Sequence, residues 1–451
     1  MAKIALPPSH LASCLVSTLL VHIAARFDRV IDVRREASGF LTVHIDADPI
    51  DLAQMIITSL RSRELRPEGI SGALPLILGT KPGTDGKTLT ELLKTVGILK
   101  PSLKAEKRIE IYDSLLRFLE SAGARLVNEL STLRTSLSRG VLKIELGGDH
   151  CPVPVVIKSE AFYEIGRFSG VSDRRKKQRP KIGRVDYRAS LPIAALLYDL
   201  LLALQTGYVA GVTNEYMFTA IQLEPGKVTP LQAKLVDGLY LELVRDVRRA
   251  GLRTWSQDYE GLRLASILRL IELYEYLKRD LRAEIPVNVL FNHIIIASTG
   301  RRFFPLWSVG FSMSELDTTT RIVESFSKEL DVDTVRVLRL MRVLIVSSLR
   351  IASRTATSSA AELWHGVRAM VYSFTEGKKP ELLDTTYRML RLLSDMRTGL
   401  RNELLNSMAS YAQDLGTTLE NLVKELTLEP AENAKTALWR SLKKLVSLIT
   451  A

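Results

Sequence analysis

The hydrophobic pattern of the chain shifts between a period near two and a period near 3.6, and these shifts outline its elements. Pro7, Pro8 and Ser9 end the leading segment, and Ser9 caps a helix predicted over residues 10–26. Its apolar run, residues 11–25, is interrupted by Ser13, Cys14, Ser17, Thr18 and His22, which fits a buried helix better than a bilayer span. Residues 29–35 (RVIDVRR) and 40–47 (FLTVHIDA) alternate, and Ala37-Ser38-Gly39 between them has turn chemistry, so a hairpin is predicted. Asp48-Pro49 then opens an amphipathic helix with Leu52, Met55, Ile56 and Leu60 on one face. Such an opening describes a small α+β domain. Residues 104–137 read as one long helix, or as two broken near Gly123, with Ile111, Leu115, Phe118 and Leu119 on one side. Strands are expected over 141–146 and 153–158, joined by the turn Gly147-Gly148-Asp149-His150.

Beyond Ser190 the pattern becomes helical. Ser190 caps and Pro192 opens a strongly apolar helix, LPIAALLYDLLLALQTGYV, ending near Gly207. Helices are predicted over 230–249 and 259–282, and the β-branched run 285–299 reads as a buried strand or short helix with His293 as a core residue. Ser314 and Asp317 resemble a capping box for a helix to about residue 330. Helices over 334–354, 360–373, 380–415 and 430–449 complete a bundle. The expected fold class is mixed and predominantly α. It comprises an N-terminal α+β domain over 1–185, a central mostly helical domain over 186–332, and a C-terminal helical bundle over 333–451.

Charge changes this picture. Lys and Arg number 62 against 50 acids, a net charge of +12, which favours an acidic partner: nucleic acid first, a membrane surface second. The excess is unevenly placed. Between residues 174 and 188 stand eight cations (Arg174, Arg175, Lys176, Lys177, Arg179, Lys181, Arg184 and Arg188) against one acid, Asp186. Gly170, Pro180 and Gly183 keep this stretch from being helix, so it is expected as a surface loop that neutralises phosphates, or else as a solvated linker. Phe162, Tyr163 and Phe168 nearby suit either base stacking or core packing. Arg301 and Arg302, followed by Phe303, Phe304 and Trp307, form a second basic–aromatic cluster. On the 334–354 helix, Arg336, Arg339, Arg342, Arg350 and Arg354 fall within roughly 120° at 3.6 residues per turn. Val337, Leu340, Leu344 and Ile351 oppose them, and the expectation is a polyanion lying along that stripe.

Motifs for bond-breaking are sparse. The loop GTKPGTDGKT ends in Gly86-Lys87-Thr88 but carries Lys81 where a phosphate-binding loop needs Gly, so it is read as a backbone- or base-gripping loop or as an inert one. Neither His-x-x-x-His, Gly-x-Ser-x-Gly nor Cys-x-x-Cys occurs, and the single Glu-x-x-His, Glu362 with His365, lacks the second such pair a bundle metal site needs. Asp149-His150-Cys151 reads as a turn. Cys14 and Cys151 supply neither a disulfide framework nor a zinc site, which fits a reducing, intracellular compartment. The expectation is a protein without catalytic residues, metal or cofactor, and without a membrane partner.

The loop GTKPGTDGKT in an α+β N-terminal part, the segment VVIKSEAFYEIGRFSG with its following basic run, and the helical C-terminal part together resemble one family. It is the large subunit of archaeal type I-A CRISPR effector (Cascade) complexes. The resemblance implies a cytoplasmic, non-catalytic subunit that helps recognise the motif flanking the target, holds strands and recruits a helicase-nuclease. Guide RNA, target DNA and other effector subunits would be its partners, with guide pairing reading the sequence. On that basis Lys81, Lys87 and Thr88 would meet the duplex or motif. Residues 174–181 would meet the backbone, and the basic helix around Arg339 would follow a strand. The alternatives are a stand-alone nuclease- or primase-like enzyme and a basic scaffold that binds only protein.

Overall fold

The structure is a computed structural model that describes residues 1–67, 92–94, 108–138, 141–148, 151–154, 156–158, 184–209, 214–250, 259–281, 286–298, 303–330, 334–354, 357–396, 398–414, 417–418 and 420–421. The fold is mixed and predominantly α. The chain forms two compact units: Met1–Val244 with Ala283–Ser312, and Arg245–Arg282 with Met313–Ala451. The expected boundaries at 185/186 and 332/333 differ from this division. The first runs through a strand, and residues 283–312 return to pair with a strand laid down earlier.

In the first unit, β1 (Ala2–Ala5), β2 (Ile31–Arg35), β3 (Leu41–Ile45) and β10 (Gly226–Val228) form an antiparallel sheet in the order β1-β3-β2-β10. The β2–β3 hairpin is the expected one, and its turn needs the left-handed backbone that Gly39 supplies at φ 87°. Helix α1 (His10–Phe27) begins where Ser9 accepts from the Ala12 N–H, and α2 (Pro49–Leu60) where Asp48 accepts from Ile50 and Asp51. Among the described residues α1 is the one helix long and apolar enough to cross a bilayer, and most of it is buried inside the protein.

A second antiparallel sheet has the order β12-β11-β9-β8, from β8 (Gln205–Val209), β9 (Asn214–Leu223), β11 (Val289–Ser298) and β12 (Phe303–Ser312). Helices α5 (Leu191–Leu204) and α6 (Pro230–Ala250) flank β8, β9 and β10 in sequence. Strand β8 reaches only as far as Phe218 on β9, so the β9 backbone beyond that point needs other partners. Two helices provide them. Thr18 on α1 accepts from the Ile221 N–H at 2.7 Å while donating to the Cys14 carbonyl, and Tyr240 on α6 donates to the Thr219 carbonyl at 2.9 Å. His293 is a core residue as expected: its ring meets Thr219 at 3.0 Å, and burial pushes its pKa down to about 3, keeping it neutral.

The third sheet, β4-β5-β7-β6, contains β4 (Leu133–Ser138), β5 (Val141–Leu146), β6 (Cys151–Pro152) and β7 (Arg184–Ala189), with β5 and β7 parallel. Two expectations are corrected here. Among the described residues of 104–137, helix covers α3 (Arg108–Ala122) and α4 (Ala124–Leu130), and β4 follows. Leu126, Leu130, Leu133 and Leu137 keep helical spacing, but pairing with β5 overrides it. No described residue of the strand expected over 153–158 is in a strand: β6 ends at Pro152, Pro154 lacks the N–H a ladder requires, and residues 156–158 are helical, with the Lys158 N–H donating to the Pro154 carbonyl at 3.0 Å. Residues 184–189, read as loop, are the strand β7.

The second unit is a helical bundle of α7 (Tyr259–Leu281), α8 (Met313–Leu330), α9 (Thr334–Arg354), α10 (Ser358–Thr375), α11 (Lys379–Asp395) and α12 (Thr398–Asp414), with the last turn of α6. Helix α9 lies at its centre, packed against α7, α10 and α12. Residues 380–415 make two helices, broken at Met396, which has extended backbone.

One group in the first unit stands apart. Asp199 on α5 is fully buried, both its oxygens lack a hydrogen-bond partner among the described residues, and desolvation raises its pKa well above 3.8. The folded state therefore holds this proton more tightly than the unfolded chain, so stability is full below 3.8 and falls as pH rises towards the folded pKa. Each pH unit in that window costs about 1.4 kcal/mol. Urea unfolding across pH should show this decline, and Asp199→Asn should remove it; a decline of equal size in both proteins would refute the assignment. Thr18→Val, of equal shape, should cost about 1–3 kcal/mol by leaving the Ile221 N–H unpaired, and a cost near zero would show that edge to be satisfied otherwise.

Candidate nucleic-acid interface

The residues expected to bind nucleic acid fall into three groups. Lys81, Lys87, Thr88, Arg174, Arg175, Lys176, Lys177, Arg179, Lys181, Arg301 and Arg302 lie outside the described residues. Arg184 opens β7 opposite Val141 of β5, and Arg336 stands in the first turn of α9; only their backbones are described. Arg339, Arg342 and Arg350 are described in full, and they overturn the expectation made of them.

On α9, Arg339 Nε donates to Glu272 Oε1 at 2.8 Å and Arg342 Nη1 donates to Glu272 Oε2 at 2.8 Å. Arg269, one turn before Glu272 on α7, reaches the same carboxylate at 3.3 Å. Glu272 is 3% and Arg342 1% exposed. Burial opposes ionisation of Glu272, but Arg342, Arg269 and the hydrogen bond from Arg339 outweigh it and hold the carboxyl below its ordinary range. Arg350 reaches Asp414 of α12 at 3.6 Å and lies over the Tyr411 ring, centroid 5.2 Å away. Tyr411 in turn donates to Asp246 at 3.0 Å. Arg339, Arg342 and Arg350 thus form ion pairs that join α9 to α7 and α12, and the buried Arg342 offers no surface to a strand. Their neutralising acids stand on other helices, 67 and 70 residues away in the case of Glu272, so no spacing within α9 shows them. Arg388 and Arg391, which add cations on α11, pair with Asp384 and Asp395 one turn away.

A constellation that sequence motifs missed lies in the first unit. His22 Nδ1 on α1 lies 3.1 and 3.0 Å from the Asp237 oxygens of α6, and its Nε2 lies 3.4 Å from Ser62 Oγ, just past α2. The order hydroxyl–imidazole–carboxylate matches that of an activated serine. However, Ser62 is 7% exposed and its hydroxyl also bonds the Glu64 carboxylate, which draws its proton away from the imidazole. The three groups act as a clasp that ties α1 to α6 and to the end of α2. With 40 and 215 residues between the partners, no local pattern could have announced it. Glu362 and His365, the lone Glu-x-x-His, are both exposed on α10, and no group of three or more metal-ligating side chains occurs among the described residues.

The cationic block of residues 174–184 holds seven cations and no acid, and it runs directly into β7. Acids flank it on both sides, Asp173 directly before Arg174 and Asp186 two residues after Arg184, and Asp186 is already engaged by Arg188 at 3.4 Å and Lys158 at 4.0 Å.

Glu272→Ala should destabilise the protein by about 3–5 kcal/mol in urea unfolding, because it strands buried guanidinium groups. A loss below ~1 kcal/mol, the range of a surface ion pair, would contradict the ionic-core assignment. Scanned against protein-family models and curated proteins, the chain gives no match.

Proposed function

We propose that the chain is a non-catalytic, nucleic-acid-binding subunit of a cytoplasmic CRISPR RNA-guided DNA interference complex, similar in role to the large subunit of archaeal type I-A effectors. It contributes to recognition of the target-flanking motif, to holding a strand and to recruiting a helicase-nuclease. Guide RNA, target DNA and the other effector subunits are its partners. The observation that carries this reading is the run of seven cations without an acid over residues 174–184, on a chain of net charge +12. Such a block cannot be paired within itself, so it costs folding free energy unless solvated or matched by phosphates. Displacing condensed counterions from a nucleic-acid strand is the matching process with the largest driving force. The resemblance of the segment VVIKSEAFYEIGRFSG and its basic continuation to that family supports the same assignment.

Arg339, Arg342 and Arg350 have no part in this reading, since their charge is met inside the bundle. Strand holding then rests on the first unit and on the segments 68–91 and 159–183. Replacing Arg174, Arg175, Lys176 and Lys177 with Ala should weaken binding to a single-stranded oligonucleotide. It should flatten the slope of log affinity against log salt by up to about 2.8, at ~0.7 per phosphate contact. Purification from the native cell should return a stoichiometric ribonucleoprotein with guide RNA. Unchanged affinity and slope in the variant, together with a chain that purifies free of RNA, would overturn the proposal.

A further inference from the structure

The β4-β5-β7-β6 sheet has two unlike faces. Ile144, Leu146, Val185, Tyr187 and Ala189 alternate along β5 and β7 and are buried. Register then fixes what shares the other face, because paired residues in a ladder point the same way. One row across the sheet is Arg134, Glu145 and Arg188; the next is Ser136, Lys143 and Asp186. Lys158 adds its ammonium beside Asp186. Arg134, Ser136 and Lys143 are exposed, and among the described residues neither Arg134 nor Lys143 has an ion pair within 4.0 Å. Four cations on this face thus stand against two carboxylates, Glu145 and Asp186, and Asp186 is shared by Arg188 and Lys158.

This face is also where the cationic block is anchored. The block ends at Arg184, the first residue of β7, which lies opposite Val141 one strand from Lys143. The polar face and the block are therefore continuous along the chain and share one sign of charge. We infer that the exposed face of this sheet, through Arg134, Ser136, Lys143 and Arg188, is a seat for the sugar–phosphate backbone of a single nucleic-acid strand leaving the basic block. Cations and hydroxyls in rows are the groups that contact phosphate and sugar, and they position a strand without reading its bases. From β4 to β7 the seat is two strand spacings wide, about 10 Å, which suits one backbone. The inference rests on the nucleic-acid reading proposed above and assigns it a second surface.

The test compares four full-length proteins: wild type, the Arg174/Arg175/Lys176/Lys177→Ala variant, R134E/K143E on the sheet face, and R388A/R391A as a control for general loss of surface charge. Binding of a labelled mixed-sequence single-stranded DNA is followed by anisotropy across a salt series, with thermal melting to verify folding. The sheet-face variant should lose affinity and flatten the salt slope by about 1.4, two phosphates at ~0.7 each, while the control stays at wild type. Crosslinking of the wild-type complex should map to the β4–β5 peptides. If wild type and the block variant behave as proposed but the sheet-face variant matches wild type, the seat is refuted and the block stands. A sheet-face variant that unfolds leaves the decision to crosslinking, where absence of β4–β5 adducts overturns the seat. A drop in the control equal to that of the sheet-face variant also overturns it. A wild type without salt-sensitive binding removes the underlying reading itself.

Discussion

An unpaired strand edge inside a protein has to be closed, and the way β9 is closed organises the first unit. Strand β8 stops opposite Phe218, leaving the Ile221 N–H and the Thr219 carbonyl facing away from β11. A buried amide without a partner costs as much as a lost hydrogen bond, so the fold must bring something to both. Thr18 and Tyr240 do this from α1 and α6. Once the two helices are held against that edge, His22, one turn after Thr18, and Asp237, one turn before Tyr240, fall within hydrogen-bond reach. The clasp around His22 is best understood as a consequence of edge closure. A hydroxyl and an imidazole placed a turn apart on one helix serve a backbone and a carboxylate in turn.

Two buried carboxyls show how the protein handles charge. Glu272 is surrounded by three guanidinium groups and stays ionised despite burial. Asp199 has no such neighbour, lies close enough to Asp113 to be disfavoured further as an anion, and keeps its proton. The same physics explains why the arginines of α9 mislead. Arg339, Arg342 and Arg350 occupy one side of an amphipathic helix whose other side is apolar, which in isolation describes a surface. In the bundle both sides are covered, one by apolar packing and the other by ion pairs from α7 and α12.

Much of the helical framework was legible because it rests on local rules. Ser9 and Asp48 cap helices where the side-chain chemistry requires it, Gly39 permits the β2–β3 turn, and the 3.6-residue period locates α1, α2, α6, α7 and α9. The sheets were harder to see. Strand β9 is buried on both faces, so NEYMFTAIQL shows no alternation and passed without notice. Strand β4 carries leucines at helical spacing, and β7 begins inside a charge block that dominates any local reading. For the interface, the density of cations over 174–184 was visible, but which arginines face solvent was not. Charge neutralisation here depends on partners up to 70 residues distant.

The path of the chain between the two units constrains how the molecule is made. Strand β9 is flanked on one side by β11, and their pairing joins Leu223 to Val289 and Asn214 to Ser298, separations of 66 and 84 residues. The intervening stretch holds α7, which belongs to the other unit. On a ribosome the first unit therefore waits with an open apolar strand while a piece of its neighbour is synthesised, and loop closure of that length precedes any gain from the sheet. Neither unit can be cut out as one continuous piece of chain, and premature termination anywhere before the β11–β12 hairpin leaves an exposed template for aggregation.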